Sequence, residues 1–282
     1  MNKIMCVGEP FEAEHSSCSD LTPEKFRWGH TTNCDTIICI DNAIIGMFEN
    51  EEAVPNRFGW LCELPAIIPQ VYDMVRENYE VLLDYYEAIF TCDVELANQH
   101  ERIHQVYSCS NLPWIKKRKI YNKTKNISLL ASNKQLTEGQ KLRHTMAEKF
   151  KDDMDIMGSI TGTRFGESLF DKLEAHKDYR FSFIIENSKQ ENVFTEKITD
   201  AFATGTIPVY WGCPDIGKHF NIDGIIELTD DFDINSLTPK LYKSKMDAIK
   251  ENFELVNKMK MVDDQIYNII FNEYLMEEEL EL

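Results

Sequence analysis

Short apolar runs that alternate with helical patterns constrain the fold of this chain more than any other feature. The helical signals begin at Thr137, where Gln140 three residues later completes a capping box, and at Thr195, which precedes Glu196. The chain from about residue 239 has the pattern of a long helix. The apolar runs indicate buried strands at residues 4–7, 36–40, 88–90, 126–131, 181–185, 207–211 and 224–228. Strands that alternate with helices predict an α/β fold built on parallel sheets.

The length of the chain predicts more than one domain. Its 282 residues correspond to one large or two ordinary domains, since a domain has roughly 100–200 residues. The strand and helix signals form two series that separate near residues 112–122. We therefore expect two doubly wound, Rossmann-like domains that face a cleft, formed by residues 1–116 and 117–282.

The formal charge of −18 argues against a polyanionic partner such as nucleic acid, but the charge is unevenly distributed. Residues 1–104 contain 6 basic and 19 acidic side chains, whereas residues 105–150 contain 10 basic and 2 acidic ones. The basic segment includes Lys116, Lys117, Arg118, Lys119 and Lys123. Two interpretations stay open for it: an exposed linker between domains, or a surface for a ligand that carries phosphate.

The sequence gives no indication of secretion or of a membrane span. The start, MNKIMCVGEP, lacks the apolar stretch of a signal peptide, and no run approaches the roughly 18 apolar residues of a spanning helix. The 8 cysteines include no C-x-x-C pair. We therefore expect a cytoplasmic protein with reduced thiols.

Residues 100–104 form the motif H-E-x-x-H, which binds zinc in metallopeptidases when its two histidines share a helix face. His100, Glu101 and His104 would supply two ligands and a base, on a helix that follows Asp93. Zinc needs a third protein ligand, and no acidic residue occurs between Gln105 and Thr137. A zinc peptidase is thus a remote alternative, and we expect these residues to form an ordinary amphipathic helix.

Two acidic clusters superficially resemble metal sites of the D-x-D type. They comprise Asp152, Asp153 and Asp155, and Asp230, Asp231 and Asp233. Both lie at the borders of predicted helices or strands, where solvated turns are common. We expect no metal site in the chain.

Residues 180–228 bring polar side chains to the ends of two predicted strands. Glu186, Asn187 and Ser188 follow the strand at 181–185, where open α/β sheets bind ligands. Lys197 lies in the first turn of the helix that Thr195 starts, and a helix N-terminus with a nearby lysine favours phosphate. Gly212-Cys213-Pro214, after the strand at 207–211, allows a sharp turn beside a ligand.

This segment resembles the family 10 glycosyltransferases, the α-1,3-fucosyltransferases. Their signature is F-x-x-x-x-E-N-S, then T-E-K, then G-T-x-P-V/I-Y-W-G-x-P. The chain matches it over about 50 residues with the spacing preserved, at Phe181, Glu186-Asn187-Ser188, Thr195-Glu196-Lys197, Gly205-Thr206, Pro208, Tyr210-Trp211-Gly212 and Pro214. Val193 departs from the family pattern, because bacterial relatives have an aromatic residue there, near the donor sugar.

The resemblance also extends upstream of this segment. Ala131-Ser132-Asn133 and Arg143 match a strand end and a helix arginine that faces the donor pyrophosphate in the family. Glu63, in Cys62-Glu63-Leu64-Pro65, corresponds to the catalytic carboxylate of a G-E-N-x-x-P stretch. Glu9, at the end of the first predicted strand, is a rival for that role.

The resemblance implies a fold of the GT-B type and an inverting, metal-independent transferase. Residues 1–116 would form the acceptor side, and residues 117–282 would bind a nucleotide-sugar, with GDP-fucose expected. Glu63 would be the catalytic base, and Arg143, Asn187, Ser188, Glu196 and Lys197 would bind the donor. No cofactor is implied, because the nucleotide-sugar is a co-substrate.

The acceptor stays open at this stage, and so does catalytic competence. A hydroxyl on a glycan is the expected acceptor. The alternatives are a hydroxylated nucleic-acid base together with another donor sugar, and a catalytically silent relative that binds a sugar nucleotide or a partner.

Overall fold

All strand pairings among the described residues are parallel. The structure is a computed structural model that describes residues 2–8, 21–29, 34–48, 56–162 and 172–275. The strands are β1 (Asn2–Val7), β2 (Phe26–Gly29), β3 (Thr36–Ile40), β4 (Asn56–Leu61), β5 (Ala88–Thr91), β6 (Ile103–Gln105), β7 (Lys125–Leu130), β8 (Asp155–Met157), β9 (Tyr179–Ile185), β10 (Ile207–Trp211) and β11 (Ile226–Glu227).

The helices follow the strands along the chain, as the sequence predicted for an α/β fold. They are α1 (Asn42–Phe48), α2 (Pro69–Leu83), α3 (Val94–Ala97), α4 (Glu138–Lys149), α5 (Glu196–Ala203), α6 (Pro239–Ser244), α7 (Met246–Lys258) and α8 (Val262–Ile269). A π-helical segment, Ile270–Leu275, continues α8. The prediction of an α/β fold with two parallel sheets is confirmed.

The first compact unit consists of Met1–Asn111 and Lys260–Leu282. Its sheet has six strands in the order β2-β1-β3-β4-β5-β6. The central strands are buried on both faces, which is why residues 36–40 and 88–90 are continuous apolar runs rather than alternating ones. One face packs against α8 and the π-helical segment, through Val262, Ile266 and Ile270.

The second compact unit, Leu112–Met259, has five strands in the order β11-β10-β9-β7-β8. The strand order reverses between β7 and β9, because β8 lies on one side of that pair and β10 on the other. In open parallel sheets, ligands bind at the carboxyl ends of the strands beside such a reversal. The fold therefore indicates where in this unit a ligand site is to be sought.

The prediction of one long helix from about residue 239 is wrong, because this part of the chain is divided into three helices. The chain forms α6, α7 and α8 in succession, and Met259 between α7 and α8 is extended, with φ −59° and ψ 144°. The Asn111 side chain binds this break, because its Nδ2 donates to the Lys260 carbonyl at 2.8 Å and its Oδ1 accepts from the Val262 amide at 3.2 Å. A helical pattern in the sequence does not reveal an interruption that is held by hydrogen bonds from a distant side chain.

The predicted division at residues 116/117 differs from the compact units in two respects. The first boundary lies after Asn111, and the residues from Lys260 onward belong with the first unit. Hydrogen bonds explain this return of the chain, because Asp263 accepts from Trp28 Nε1 at 2.9 Å and Asp264 accepts from the Lys25 amide at 2.9 Å. Neither contact has a signal in the local sequence.

Candidate active site

The carboxyl end of β9 holds a buried carboxylate that joins this strand to α5. Glu186 is fully buried, and its Oε1 and Oε2 accept hydrogen bonds from the Thr195 amide at 3.0 Å and the Thr195 hydroxyl at 2.8 Å. A side chain at Gly212 would not fit here, because its Cβ would lie 2.7 Å from Glu186 Cγ. Glu186 therefore fixes the start of α5 relative to the end of β9.

The first turn of α5 presents Glu196 and Lys197, as the sequence predicted. Thr195 caps the helix, and its hydroxyl accepts from Lys197 Nζ at 2.9 Å. The Lys197 ammonium lies 3.5 Å from both Glu186 Oε2 and Glu196 Oε1, and its side chain retains 26% exposure. Lys197 is thus oriented by neighbours and still accessible to a ligand at the helix N-terminus.

Arg143 of α4 lies at the same strand end. Its Nε and Nη2 donate to the Ile185 carbonyl at 2.9 and 2.6 Å, and Nη2 also donates to Asn187 Oδ1 at 3.0 Å. Burial lowers the pKa of Arg143, while the carboxylates of Glu186 and Glu196 oppose this. Because the guanidinium holds the chain that carries Asn187, it both shapes this edge and supplies positive charge to it.

A close approach of α4 to β9 makes this arrangement possible. The Gly139 amide donates to the Asn187 carbonyl at 3.0 Å, and a Cβ at Gly139 would lie 1.7 Å from the Glu186 carbonyl oxygen. The predicted capping box is confirmed, because the Thr137 hydroxyl accepts from the Gln140 amide and the Gln140 side chain accepts from Thr137. The sequence analysis predicted the helix cap but did not predict that position 139 requires glycine.

Asn187 and Ser188 follow directly on the chain and have unused polar atoms. The Asn187 Oδ1 is taken by Arg143, which leaves its Nδ2 with no partner among the described residues. The Ser188 hydroxyl is buried and has no hydrogen-bond partner within the same part of the chain. Both groups are suited to bind an oxygen-rich ligand at this edge.

Lys172 also belongs to this group of charged side chains around α5, although the sequence analysis did not identify it. Its ammonium lies 3.1 Å from Glu196 Oε1 and 3.2 Å from Asp200 Oδ2, both on α5. Lys172 is 24 residues from Glu196 in the sequence, and no spacing rule connects positions so far apart. Arg143, Lys172 and Lys197 thus meet three carboxylates, those of Glu186, Glu196 and Asp200, in one unit.

Glu63, the predicted base, lies in the first unit, two residues after the end of β4. Its side chain is partly exposed, and its carboxylate accepts no hydrogen bond from the described residues. The turn around it is held from two sides, because Asp41 Oδ1 accepts from the amide of Glu63 at 3.1 Å and the Tyr72 hydroxyl donates to the Glu63 carbonyl at 3.0 Å. The rival Glu9 lies outside the described residues.

The helix expected at His100, Glu101 and His104 is wrong. The helix after Asp93 ends at Ala97, residues 101–102 form a turn, and His104 lies on β6. The His104 ring stacks on Phe90, and its Nε2 is 2.7 Å from the Tyr274 hydroxyl. The helical spacing on which the zinc motif depends is therefore not formed.

The two acidic clusters have identifiable structural roles. Asp155 on β8 accepts from Lys125 Nζ at 3.0 Å and from the Tyr179 hydroxyl at 2.6 Å. Asp233 caps a short 3₁₀ turn by accepting from the Asn235 amide. Across the ranges that the structure describes, no group of three or more His, Cys, Asp or Glu residues is arranged to hold a metal ion.

Val193, which departs from the family pattern, is fully buried beside Phe194, and Phe194 packs against Phe220.

A cavity of about 700 Å³ lies beyond the ends of β10 and β11, lined by residues that include Trp211, Asp215 and Ile222. None of the predicted donor-binding residues lines that cavity.

No helix among the described residues is long and apolar enough to cross a membrane.

Two parallel-sheet units of Rossmann type, with cations and a carboxylate at the end of β9 and the start of α5 of the second unit, match the architecture of GT-B glycosyltransferases. The profile described as Glycosyltransferase family 10 (fucosyltransferase) C-term matches residues 120–263. The chain belongs to this family. The resemblance drawn from the E-N-S and T-E-K motifs is confirmed, and with it the class of enzyme.

Individual relatives cover the chain unevenly. The Alpha-(1,3)-fucosyltransferase FucT of Helicobacter pylori is 37% identical over 73 residues, which are 26% of this chain and 15% of that protein. A solved alpha1,3-fucosyltransferase with GDP superposes with a TM-score of 0.52 at 14% identity, covering 97% of this chain and 91% of that one. An alpha-glucosyltransferase solved with UDP-glucose and DNA also reaches 0.52, at 12% identity, over 85% of this chain and 81% of that one.

These comparisons differ in what they support. The two superpositions, both below 25% identity, support the fold alone. The curated relative matches over a short stretch of its own length, so the local motifs and the geometry of this chain must support any statement about its substrates.

Proposed function

We propose that the protein transfers fucose from GDP-fucose to an acceptor hydroxyl with inversion at the anomeric carbon. The observation that carries this proposal is the convergence of Arg143, Asn187, Glu196 and Lys197 at the carboxyl end of β9 and the N-terminus of α5. Membership of the fucosyltransferase family supports the choice of fucose.

The donor diphosphate is assigned to Lys197, Arg143 and the start of α5. Lys197 provides a point charge at the N-terminus of a helix whose amide dipoles also favour an anion. Arg143 uses Nε and Nη2 within the protein, so Nη1 is the group that can reach a phosphate oxygen. The free amide of Asn187 and the hydroxyl of Ser188 complete this set of donors.

Glu196 is assigned to the hydroxyl groups of the donor ribose. Burial opposes its ionisation, but Lys172 and Lys197 outweigh burial and lower the pKa of Glu196 to about 2. An ionised carboxylate only accepts hydrogen bonds, which suits vicinal hydroxyls, and acidic residues bind ribose in this way in other Rossmann sites.

The transfer step follows from these assignments. The acceptor oxygen attacks the anomeric carbon while Glu63 takes its proton, and the bond between that carbon and the phosphate oxygen breaks. The electron pair leaves with the nucleoside diphosphate, whose added negative charge Lys197 and Arg143 stabilise. Fixed cations perform the task that a metal ion performs in other transferases, so we propose a reaction that needs no metal.

The first test is a thermal-shift panel of nucleotides and nucleotide-sugars, because a ligand of the native state raises its stability by mass action. We expect GDP and GDP-fucose to raise the melting temperature more than the corresponding uridine and adenosine compounds. Lys197→Ala and Arg143→Ala should lose most of this shift, whereas Lys250→Ala, which removes an exposed lysine, should retain it. A full shift in the Lys197 and Arg143 variants would refute the assigned site.

The second test measures transfer from GDP-fucose to oligosaccharide acceptors. Glu63→Gln should bind the donor normally and lose at least about 10²-fold in kcat, in the range of general-base catalysis. Glu77→Gln, an exposed carboxylate on α2, is the control. Normal turnover by Glu63→Gln would remove Glu63 as the base, and donor binding without transfer by the wild type would favour the silent relative.

A third assay separates the two classes of acceptor. Hydroxymethylated duplex DNA replaces the oligosaccharide, at low and high salt, because binding to a polyanion weakens steeply with salt. The net charge of −18 leads us to expect transfer to glycan and none to DNA. Transfer to DNA that falls with salt would instead support the nucleic-acid acceptor.

A further inference from the structure

Lys172 lies between two carboxylates on the same face of α5. Glu196 and Asp200 are one helical turn apart, and the Lys172 ammonium lies within 3.2 Å of an oxygen of each. Like charges four residues apart on a helix repel, and burial strengthens that repulsion. The ammonium between them therefore offsets this repulsion and helps to determine where the Glu196 carboxylate rests.

Two further contacts hold Lys172 itself in place. Its ammonium lies 4.0 Å from the centroid of the Trp114 ring, and its side chain is only 18% exposed. The other oxygen of Asp200, Oδ1, accepts from the Ile115 amide at 2.9 Å, so the segment that carries Trp114 is also anchored to α5. Lys172 thus has a fixed position rather than that of a mobile surface lysine.

Lys172 and Lys197 face the same small space. A cavity of about 30 Å³ is lined by both lysines and by Asp200, with Leu130 at the end of β7 and Ile185 at the end of β9. This is the point where the strand order reverses, which the fold marks as the ligand site. Lys172 therefore belongs to the donor site although it lies outside the E-N-S and T-E-K motifs.

We propose that Lys172 is a positioning residue that holds Glu196 for the ribose hydroxyls and so gives the site its preference for ribonucleoside diphosphate donors. Both lysines approach Oε1 of Glu196, at 3.1 and 3.5 Å, which fixes the rotation of the carboxylate and assigns Oε2 to the ribose. This inference rests on the proposed function, because it requires that a nucleoside diphosphate binds at this edge.

The experiment compares the binding of GDP with that of 2′,3′-dideoxy-GDP by calorimetry. Wild-type protein should bind GDP about tenfold more tightly, because a site that pairs with hydroxyls loses those bonds when they are missing. Lys172→Met should weaken GDP about tenfold and the dideoxy compound less than about twofold. Lys172→Arg, which keeps the charge, should restore most of the preference.

Three further variants separate positioning from a general structural effect. Glu196→Gln should abolish the preference for ribose, and adding Lys172→Met to it should cause no further loss of GDP affinity, because the lysine acts through the carboxylate. Lys197→Ala should weaken both nucleotides, including the dideoxy compound that Lys172→Met leaves almost unchanged, since Lys197 is assigned to phosphate. Lys177→Met, which removes a nearby lysine paired with Glu174, should change neither.

The outcomes distinguish this inference from the proposed function. If the wild type binds no guanine nucleotide, both fail. If it binds GDP and dideoxy-GDP equally, or if Lys172→Met weakens both to the same extent, donor binding stands and the role of Lys172 is refuted. Circular dichroism checks the fold of each variant, and Lys172→Gln, which removes the charge but keeps an NH2 group that can donate, replaces Lys172→Met if the latter unfolds.

Discussion

Asp41, directly after β3, accepts a hydrogen bond over 3.1 Å from the backbone amide of Glu63, which lies two residues beyond the neighbouring strand β4. The same oxygen accepts from the Cys62 amide at 2.8 Å. Asp41 has a φ of 50°, in the left-handed region that aspartate tolerates better than most residues. This backbone conformation places the buried Asp41 carboxylate against the turn that contains Glu63, the proposed base.

Replacing Asp41 by asparagine should stabilise the protein at neutral pH. Burial raises the pKa of Asp41 from 3.8 to about 6, although the two amide bonds oppose the rise. The native state thus holds this proton more tightly than the unfolded state, and stability falls as pH rises from about 4 to 6. The asparagine side chain would keep an acceptor oxygen and never ionise, so Asp41→Asn should gain about 2–3 kcal/mol above pH 7.

Denaturant unfolding at pH 4.5 and pH 7.5 measures this effect. The wild type and Asp41→Asn should differ by about 1 kcal/mol at the lower pH, where the carboxyl is already largely ionised in the unfolded state, and by about 2–3 kcal/mol at the higher one. Asp84→Asn, which alters an exposed carboxylate, should show no such divergence. Equal stability of Asp41→Asn and the wild type at both pH values would contradict the prediction.

Local signals in the sequence predicted the local structure around the proposed donor site well. The capping box at Thr137 and Gln140 and the cap at Thr195 depend on residues within three positions, so their geometry follows directly from the sequence. Strand β10 also has the predicted bounds, because a continuous apolar run is the pattern of a strand that is buried on both faces.

Features that depend on distant parts of the chain could not be predicted in this way. Lys172 acquires its role only when β9 and α5 bring it to Glu196, and Asp41 only when β3 pairs with β4. The short strands β6 and β8 have three residues each, too few for a periodic signal. The H-E-x-x-H match failed for the same reason, because it specifies spacing without the helix that makes the spacing meaningful.

Gly139→Ala should disrupt the proposed donor site through the backbone. The added Cβ would lie 1.7 Å from the Glu186 carbonyl oxygen, a backbone atom, and 3.0 Å from Cζ3 of the Trp211 ring. Overpacking of this kind costs about 1–3 kcal/mol, and the displaced α4 would take Arg143 away from Ile185 and Asn187. We expect loss of stability and at least about tenfold weaker GDP binding.

A matched glycine provides the control for that substitution. Gly46 also lies within a helix, and a Cβ there would meet no atom within 4 Å. Gly46→Ala should therefore be neutral or gain about 0.5–1 kcal/mol from its higher helix propensity. Unchanged stability and donor affinity in Gly139→Ala would show that α4 does not need its close approach to β9.

Removing divalent metals should not slow the proposed transfer. Arg143 and Lys197 supply fixed positive charge at the strand end where the diphosphate is assigned. Initial rates with EDTA should equal those with added Mg²⁺ or Mn²⁺, and metal analysis of the purified protein should find less than one zinc per chain. Loss of activity in EDTA that Mg²⁺ or Mn²⁺ restores would contradict the assignment of leaving-group stabilisation to these two side chains.

Lys123→Met should destabilise the second unit although Lys123 lies in the basic segment that suggested a linker or a phosphate surface. The ammonium is buried and donates to the carbonyls of His176, Lys177 and Thr204 and to the Thr206 hydroxyl, at 2.8–3.2 Å. Methionine has a similar length but no donor, so these oxygens would lose their partner at a cost of about 3 kcal/mol. Denaturant unfolding should detect this loss, whereas Lys243→Met, at an exposed position of α6, should change stability by less than about 0.5 kcal/mol. Equal stability of the two variants would show that the Lys123 contacts contribute nothing to folding.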